Sequence, residues 1–145
     1  MKDQTDLVRG WLRKARSDFT AIEALIAANT LDAACFHAQQ AAEKYLKAYL
    51  AHANSPFPST HNLVKLVELC LLLDGSFATM IHVVTPLVPY AVELRYDAEF
   101  WPDEQTAREA RVSALAIEQF VLARLPKNIT DSPGALSLDD RNEAI

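Results

Sequence analysis

The stretch that decides the fold is Ala34-Cys35-Phe36-His37-Ala38-Gln39-Gln40-Ala41-Ala42-Glu43-Lys44-Tyr45-Leu46-Lys47-Ala48. Alanine is the strongest helix former, and this stretch is rich in it. Small side chains also let a neighbouring helix approach closely. The stretch therefore predicts the centre of a helix over residues 31–53 that packs against other helices.

Apolar residues at three- and four-residue steps on both sides of this stretch predict further helices. Asn54-Ser55-Pro56-Phe57-Pro58-Ser59 ends the second helix, and Thr60 is the predicted N-cap of the third. Pro86 and Pro89 lie inside the fourth predicted helix, which is expected to kink or split there. The predicted helices cover residues 6–28, 31–53, 60–73, 77–96 and 103–124.

These patterns predict an all-α fold, an up-and-down bundle of four or five helices with short connections. No strand pattern competes with the helices. The predicted domain covers residues 1–126, because Pro126 stops the last helix. Residues 127–145 are polar, acidic and aperiodic, and we expect them to form a flexible, disordered tail.

Composition excludes several classes of protein. Only three glycines occur among 145 residues, which disfavours a β-sandwich and a glycine-loop nucleotide fold. The net charge of −5 disfavours broad binding of nucleic acid. No apolar segment follows the N-terminus, and no stretch is apolar enough to span a membrane. Cys35 and Cys70 lie at apolar helical positions, which indicates buried reduced thiols and a cytoplasmic protein.

The second predicted helix carries a candidate binding face. His37, Gln40, Lys44 and Lys47 fall within about 80° of its circumference. An imidazole, an amide and two ammonium groups on one face can bind an anion such as a phosphate. The alternative is a half-exposed polar stripe whose lysines are solvated.

Two further candidates lie later in the chain. Thr60-His61 at a helix start suits an anion, because free N–H groups and the helix dipole meet there; alternatively, His61 packs on the proline loop and Thr60 only caps. Arg95 can reach a phosphate, with Tyr96 beside it. Alternatively, Arg95 pairs with Glu99 next to a buried Tyr96.

Metal binding and a catalytic triad have little support in the sequence. The four histidines are never four residues apart, and no HExxH motif occurs. We therefore assign no metal ligand and no catalytic residue.

Taken together, several segments resemble the HEPN domain ("higher eukaryotes and prokaryotes nucleotide-binding") over about residues 6–125. The resemblance implies an all-α bundle that is often a homodimer. It also implies, for many bacterial members, a toxin–antitoxin type pair with a minimal nucleotidyltransferase. Some members are ribonucleases, with a histidine four to six residues after an arginine. The matching segments are Trp11-Leu12-Arg13-Lys14-Ala15 with Asp18, residues 34–48, Thr60-His61-Asn62-Leu63 and Arg95-Tyr96-Asp97.

This sequence departs from the ribonuclease pattern. No arginine stands four to six residues before any of its histidines, and the corresponding positions after Arg95 hold Glu99, Phe100 and Trp101. Since acid–base RNA cleavage usually depends on an imidazole, the sequence favours a protein that is not an enzyme.

The sequence therefore predicts a non-catalytic module that binds a nucleotide, such as ATP or GTP, or a protein partner. It would act with a minimal nucleotidyltransferase, and His37, Lys44 and Lys47 would contact phosphate with help from Arg95. One alternative is a divergent ribonuclease toxin with Arg95 stabilising charge and Glu99 or His61 as base. Another is a purely structural dimerisation domain.

Overall fold

The computed structural model describes residues 3–131, and every regular element among them is helical. The all-α prediction is therefore confirmed. Three long helices form the framework, and three shorter ones complete it. The helices are α1 (Gln4–Ala27), α2 (Leu31–His52), α3 (Leu63–Leu71), α4 (Ile81–Val84), α5 (Glu104–Leu122) and α6 (Lys127–Thr130).

Helices α1 and α2 form an antiparallel pair. Gln4 at the start of α1 donates a hydrogen bond to the carbonyl of Ala51 at the end of α2, at 3.1 Å. Asn29 and Asn54 follow the two helices with φ of 59° and 55°. Asparagine tolerates this left-handed conformation, which ends a helix and turns the chain. The short turn at Asn29 thus reverses the chain, so that α2 runs antiparallel to α1.

Helix α2 lies at the centre of the bundle and contacts α1, α3 and α5. Its alanines at 34, 38, 41, 42 and 48 are fully buried, so the prediction of close helix packing is confirmed. Tyr45 donates a hydrogen bond to Glu118 of α5, which also accepts one from Arg16 of α1 at 2.9 Å. These polar groups, of which Tyr45 and Glu118 are buried, join the three long helices.

The fourth predicted helix is divided, as its prolines indicated. Two 3₁₀ segments, Gly75–Met80 and Thr85–Tyr90, flank the single turn of α4. Helical structure ends at Tyr90 and turns follow to residue 96, so the predicted extension to residue 96 is wrong. Each proline removes a backbone donor and clashes with the preceding turn, so no long α-helix forms there.

The packed structure continues past Pro126. Helix α6 buries Ile129 in the core, and Arg9 donates a hydrogen bond to the carbonyl of Asn128 at 3.1 Å. The first residues of the predicted tail therefore belong to the bundle. Residues 132–145 of that predicted tail lie outside the described residues.

Cys35 and Cys70 are both buried and free, as their apolar positions indicated. Burial raises the pKa of Cys35 to about 11 and that of Cys70 to about 12. Within residues 3–131, no helix combines the length and apolar character needed to cross a membrane.

Candidate functional site

The polar face of α2 is organised by a buried carboxylate from α1. Nδ1 of His37 lies 2.8 Å from Oδ1 of Asp18, and Nζ of Lys44 pairs with the other oxygen of the same carboxylate. Burial alone raises the pKa of Asp18, but the hydrogen bonds from His37 and Lys44 outweigh it and hold this pKa below its usual value. Because Asp18 engages Nδ1, His37 presents its Nε2 side to any further partner.

A second carboxylate, Glu43, gathers residues from α2 and from the loop before α3. Its oxygens lie 3.0 Å from Nζ of Lys47 and 2.9 Å from Nδ1 of His61. Gln39 donates to Glu43 at 3.1 Å and Gln40 donates to Gln39 at 2.7 Å. Glu43 is 3% exposed, so its charge is neutralised inside the bundle rather than by solvent. The predicted binding face is thus divided between two carboxylate clusters.

Helix α3 begins later than the sequence indicated. Its N-cap is Asn62, whose side chain accepts from the backbone N–H of Lys65 at 3.3 Å. Thr60 instead accepts from the N–H of Asn62 at 3.1 Å, a local turn that threonine forms readily. The predicted cap at Thr60 is therefore wrong, and Thr60 and His61 precede the helix rather than open it.

A cavity of about 520 Å³ lies between the first turns of α2 and the irregular segment 90–101. This volume is within the usual range for small-molecule sites. His37 and Arg95 both line the cavity although they are far apart in the sequence. Its polar and aromatic lining includes Asp32, Phe36, His37, Arg95, Tyr96 and Trp101.

Arg95 is held by aromatic rings. Its guanidinium carbon lies 4.2 Å from the ring centre of Phe36 and 5.4 Å from that of Tyr96. Its side chain makes no hydrogen bond and no ion pair within residues 3–131, so the predicted alternative of a pair with Glu99 is wrong. Tyr96 is 76% exposed, so it is not a core aromatic.

The structure therefore groups the predicted site residues in two places. His37, Arg95 and Tyr96 line the cavity. Lys44 does not line it, but it pairs with Asp18, the same carboxylate that His37 contacts. Gln40, Lys47 and His61 belong to the network around Glu43, and Thr60 precedes it in the chain. No single site contains all of the predicted residues.

Most residues that line the cavity were not identified as site residues from the sequence, among them Asp32, Phe36 and Trp101. Phe36 precedes His37, Trp101 follows Phe100 in a stretch that is otherwise rich in acidic residues, and Asp32 lies in the first turn of α2. A large aromatic in a polar, aperiodic segment is a signal that could have identified Trp101. Within the described part of the chain, no group of three or more His, Cys, Asp or Glu side chains could hold a metal ion.

Comparison with known proteins agrees with the sequence resemblance. The HEPN domain model matches residues 8–125, which extend from the second turn of α1 to just past the end of α5. The comparisons with curated proteins and with solved structures gave no match. The family model spans most of the chain, and the chain belongs to the HEPN domain family.

Proposed function

We propose that this chain is a non-catalytic HEPN module that binds a nucleotide in the cavity lined by His37 and Arg95. One observation carries the proposal: the guanidinium of Arg95, free of ion pairs among residues 3–131, borders a cavity together with exposed aromatic rings. Arginine suits phosphate because its planar fork donates two parallel hydrogen bonds. Tyr96 and Trp101 offer faces on which a base can stack.

We assign the phosphate contact to Arg95, and not to the two lysines of α2 that the sequence indicated. Lys44 pairs with Asp18 and Lys47 with Glu43, and the Lys47 side chain is only 9% exposed. A lysine that is already paired with a carboxylate attracts a phosphate less strongly, because its charge is neutralised. Among residues 3–131, the N–H donors of Arg95 have no hydrogen-bond or ion-pair partner, so they remain available to a ligand.

Titration calorimetry of the full chain with a panel of nucleotides, ATP and GTP included, tests this proposal. Arg95→Gln should weaken binding at least tenfold, because a charge-assisted hydrogen bond contributes about 1.5–3 kcal/mol. Arg108→Gln is the matched control, since Arg108 is an exposed arginine on α5 that does not line the cavity. Equal loss in both variants, or no binding by the unmodified chain, would contradict the proposal. The second result would favour a purely structural dimerisation domain.

We also propose that the module acts in the cytoplasm as a homodimer, in a toxin–antitoxin type pair with a minimal nucleotidyltransferase. Membership of the HEPN family supports this arrangement. Two buried, unpaired thiols suit a reducing compartment. Co-purification of a minimal nucleotidyltransferase with the tagged chain from its own host tests the pairing, and a chain that consistently purifies without one argues against it.

Ribonuclease activity is a second candidate, favoured by the placement of His37. Its imidazole is oriented by the buried carboxylate of Asp18 and borders the same cavity as Arg95. An oriented imidazole can transfer a proton while a guanidinium stabilises developing charge. Glu99 and His61, the bases considered from the sequence, do not line this cavity, so His37 takes their place.

An RNA cleavage assay separates the two candidates. If the chain is a ribonuclease, the unmodified protein cleaves and His37→Gln or Arg95→Gln abolishes cleavage. His61→Gln is the control, because His61 belongs to the Glu43 cluster. Absence of cleavage by the unmodified protein, with nucleotide binding intact, eliminates the ribonuclease and supports the non-catalytic module.

A further inference from the structure

The charge of the cavity restricts the kind of nucleotide that fits it. One guanidinium, from Arg95, and one imidazole, from His37, face two carboxylates, from Asp32 and Asp97. No lysine of the described part of the chain lines the cavity, and Lys44, which shares the carboxylate of Asp18 with His37, is neutralised by it. Among the described lining residues, Arg95 alone carries a permanent positive charge, and its planar fork matches one phosphate group.

We infer that the ligand is a nucleotide with a single phosphate group, a nucleoside monophosphate, rather than a di- or triphosphate. The inference rests on the proposed function and narrows its ligand class. In this arrangement Arg95 binds the phosphate, an exposed aromatic ring stacks on the base, and Asp32 accepts hydrogen bonds from the sugar or base.

The phosphate position follows from the state of Arg95. Arg16, Arg111 and Arg124 each form an ion pair with a carboxylate, whereas Arg95 forms none among residues 3–131. The contact with Phe36, in which the guanidinium carbon lies 4.2 Å from the ring centre, is not a hydrogen bond, so the N–H edge of Arg95 has no hydrogen-bond partner among residues 3–131. An N–H edge held in this way is suited to two parallel hydrogen bonds with one phosphate.

The base position follows from Trp101. Its side chain is 75% exposed, and no ring or cation among residues 3–131 stacks on the indole. Large exposed aromatics beside a cavity supply stacking surface for a nucleobase. Tyr96, also exposed, already has one contact with Arg95. Trp101 is therefore the ring with the most free surface for a base.

The carboxylates disfavour longer phosphate chains. The side chain of Asp32 has no hydrogen bond or ion pair within residues 3–131, and it lines the cavity beside His37. A carboxylate accepts hydrogen bonds from ribose hydroxyls or base amines, but it repels each added phosphate. Enzymes that bind triphosphates commonly use a divalent ion to offset this charge. Because Mg²⁺ in such complexes is held by the phosphates together with one or two carboxylates, affinities must be compared with and without Mg²⁺.

The test is a calorimetric series on the full chain with adenosine, AMP, ADP and ATP, each with and without Mg²⁺, and repeated with guanosine and its phosphates. We expect the monophosphate to bind at least tenfold more tightly than both the nucleoside and the triphosphate. Arg95→Gln should reduce monophosphate binding to that of the nucleoside. Trp101→Ala should weaken nucleoside and monophosphate by the same factor, because it removes the stacking surface and not the phosphate contact.

Asp32→Asn removes a negative charge from the cavity, whereas Arg95→Gln removes a positive one. It keeps the size of the side chain and removes its charge, so we expect the triphosphate to gain affinity relative to the monophosphate. Triphosphate binding equal to or tighter than monophosphate binding in the unmodified chain overturns the inference and leaves the nucleotide-binding proposal standing. If no nucleoside or nucleotide of the series binds, both the monophosphate inference and the nucleotide-binding proposal are overturned. An RNA trinucleotide that binds more than tenfold tighter than the monophosphate overturns the free mononucleotide as ligand.

Discussion

Asp18 lies buried in α1 and receives two side chains of α2, the imidazole of His37 and the ammonium group of Lys44. These contacts hold the pKa of Asp18 below its usual value against the opposing effect of burial. A carboxyl group with a lowered pKa stabilises the folded chain while it is ionised. Asp18 therefore contributes to the stability of the fold and also orients the imidazole at the cavity.

We predict that Asp18→Asn lowers the free energy of unfolding at neutral pH by about 1–3 kcal/mol, since the half-buried Lys44 loses its partner. The contribution of Asp18 is complete well above its ordinary pKa of 3.8 and is lost as the pH falls through the lower pKa of the folded state. The difference between the two proteins should therefore shrink below about pH 4. Urea unfolding of both proteins, monitored by circular dichroism from pH 7 to pH 3, measures this difference in the free energy of unfolding.

The control for this prediction is Glu68→Gln, which removes a carboxylate from an exposed position on α3. Its expected effect is within about 0.5 kcal/mol at either pH. A difference between Asp18→Asn and the unmodified chain that stays constant from pH 7 to pH 3 would show that the ionised carboxylate is not the stabilising group.

The partners of the lysines explain how far the sequence could predict the site. Helical periodicity correctly placed Lys44 and Lys47 on one polar face. It could not show that Asp18, 26 residues before Lys44, faces that side chain from another helix. Likewise, His37 and Arg95 meet at the cavity only because the 3₁₀ segment Thr85–Tyr90 packs against α2. Such contacts depend on tertiary packing, which the pattern of one helix does not contain.

At the scale of the elements, the long helices were predicted to within a few residues. Helix α1 begins at Gln4, two residues before the predicted start, because Asp3 caps it by accepting from the N–H of Asp6. The end of the fourth predicted helix was placed six residues too late, at residue 96 instead of Tyr90. The apolar spacing there indicated a buried helix. The two prolines and the backbone geometry decided its actual length.

The close contact between α1 and α2 leads to a prediction about alanine. Ala41 lies on α2 and is fully buried, so a larger side chain has no space without displacement of a neighbouring helix. Ala41→Leu should lower the free energy of unfolding by about 1–3 kcal/mol. Ala24→Leu, at an exposed position on α1, is the control and should change it by less than about 0.5 kcal/mol. Thermal unfolding of both variants is the measurement, and equal melting temperatures would contradict the close packing of α2.

At the scale of the whole molecule, the bundle leaves large apolar side chains in contact with water. Leu72 is 83% exposed, Val112 62% and Val92 56%. Single exposed apolar residues are common on protein surfaces, and they do not identify an interface. They do supply apolar area that association would remove from water, at about 25 cal/mol per Å².

We predict that the chain is a homodimer at micromolar concentration. Members of the HEPN family often dimerise, and a twofold dimer would pair the same surface of each copy. Sedimentation equilibrium should therefore give twice the 16.1 kDa of one chain. Because all of the cavity residues belong to one chain, calorimetry should still give one nucleotide per chain. A mass of one chain at this concentration would contradict the dimer, and one nucleotide per two chains would show that the site is shared between copies.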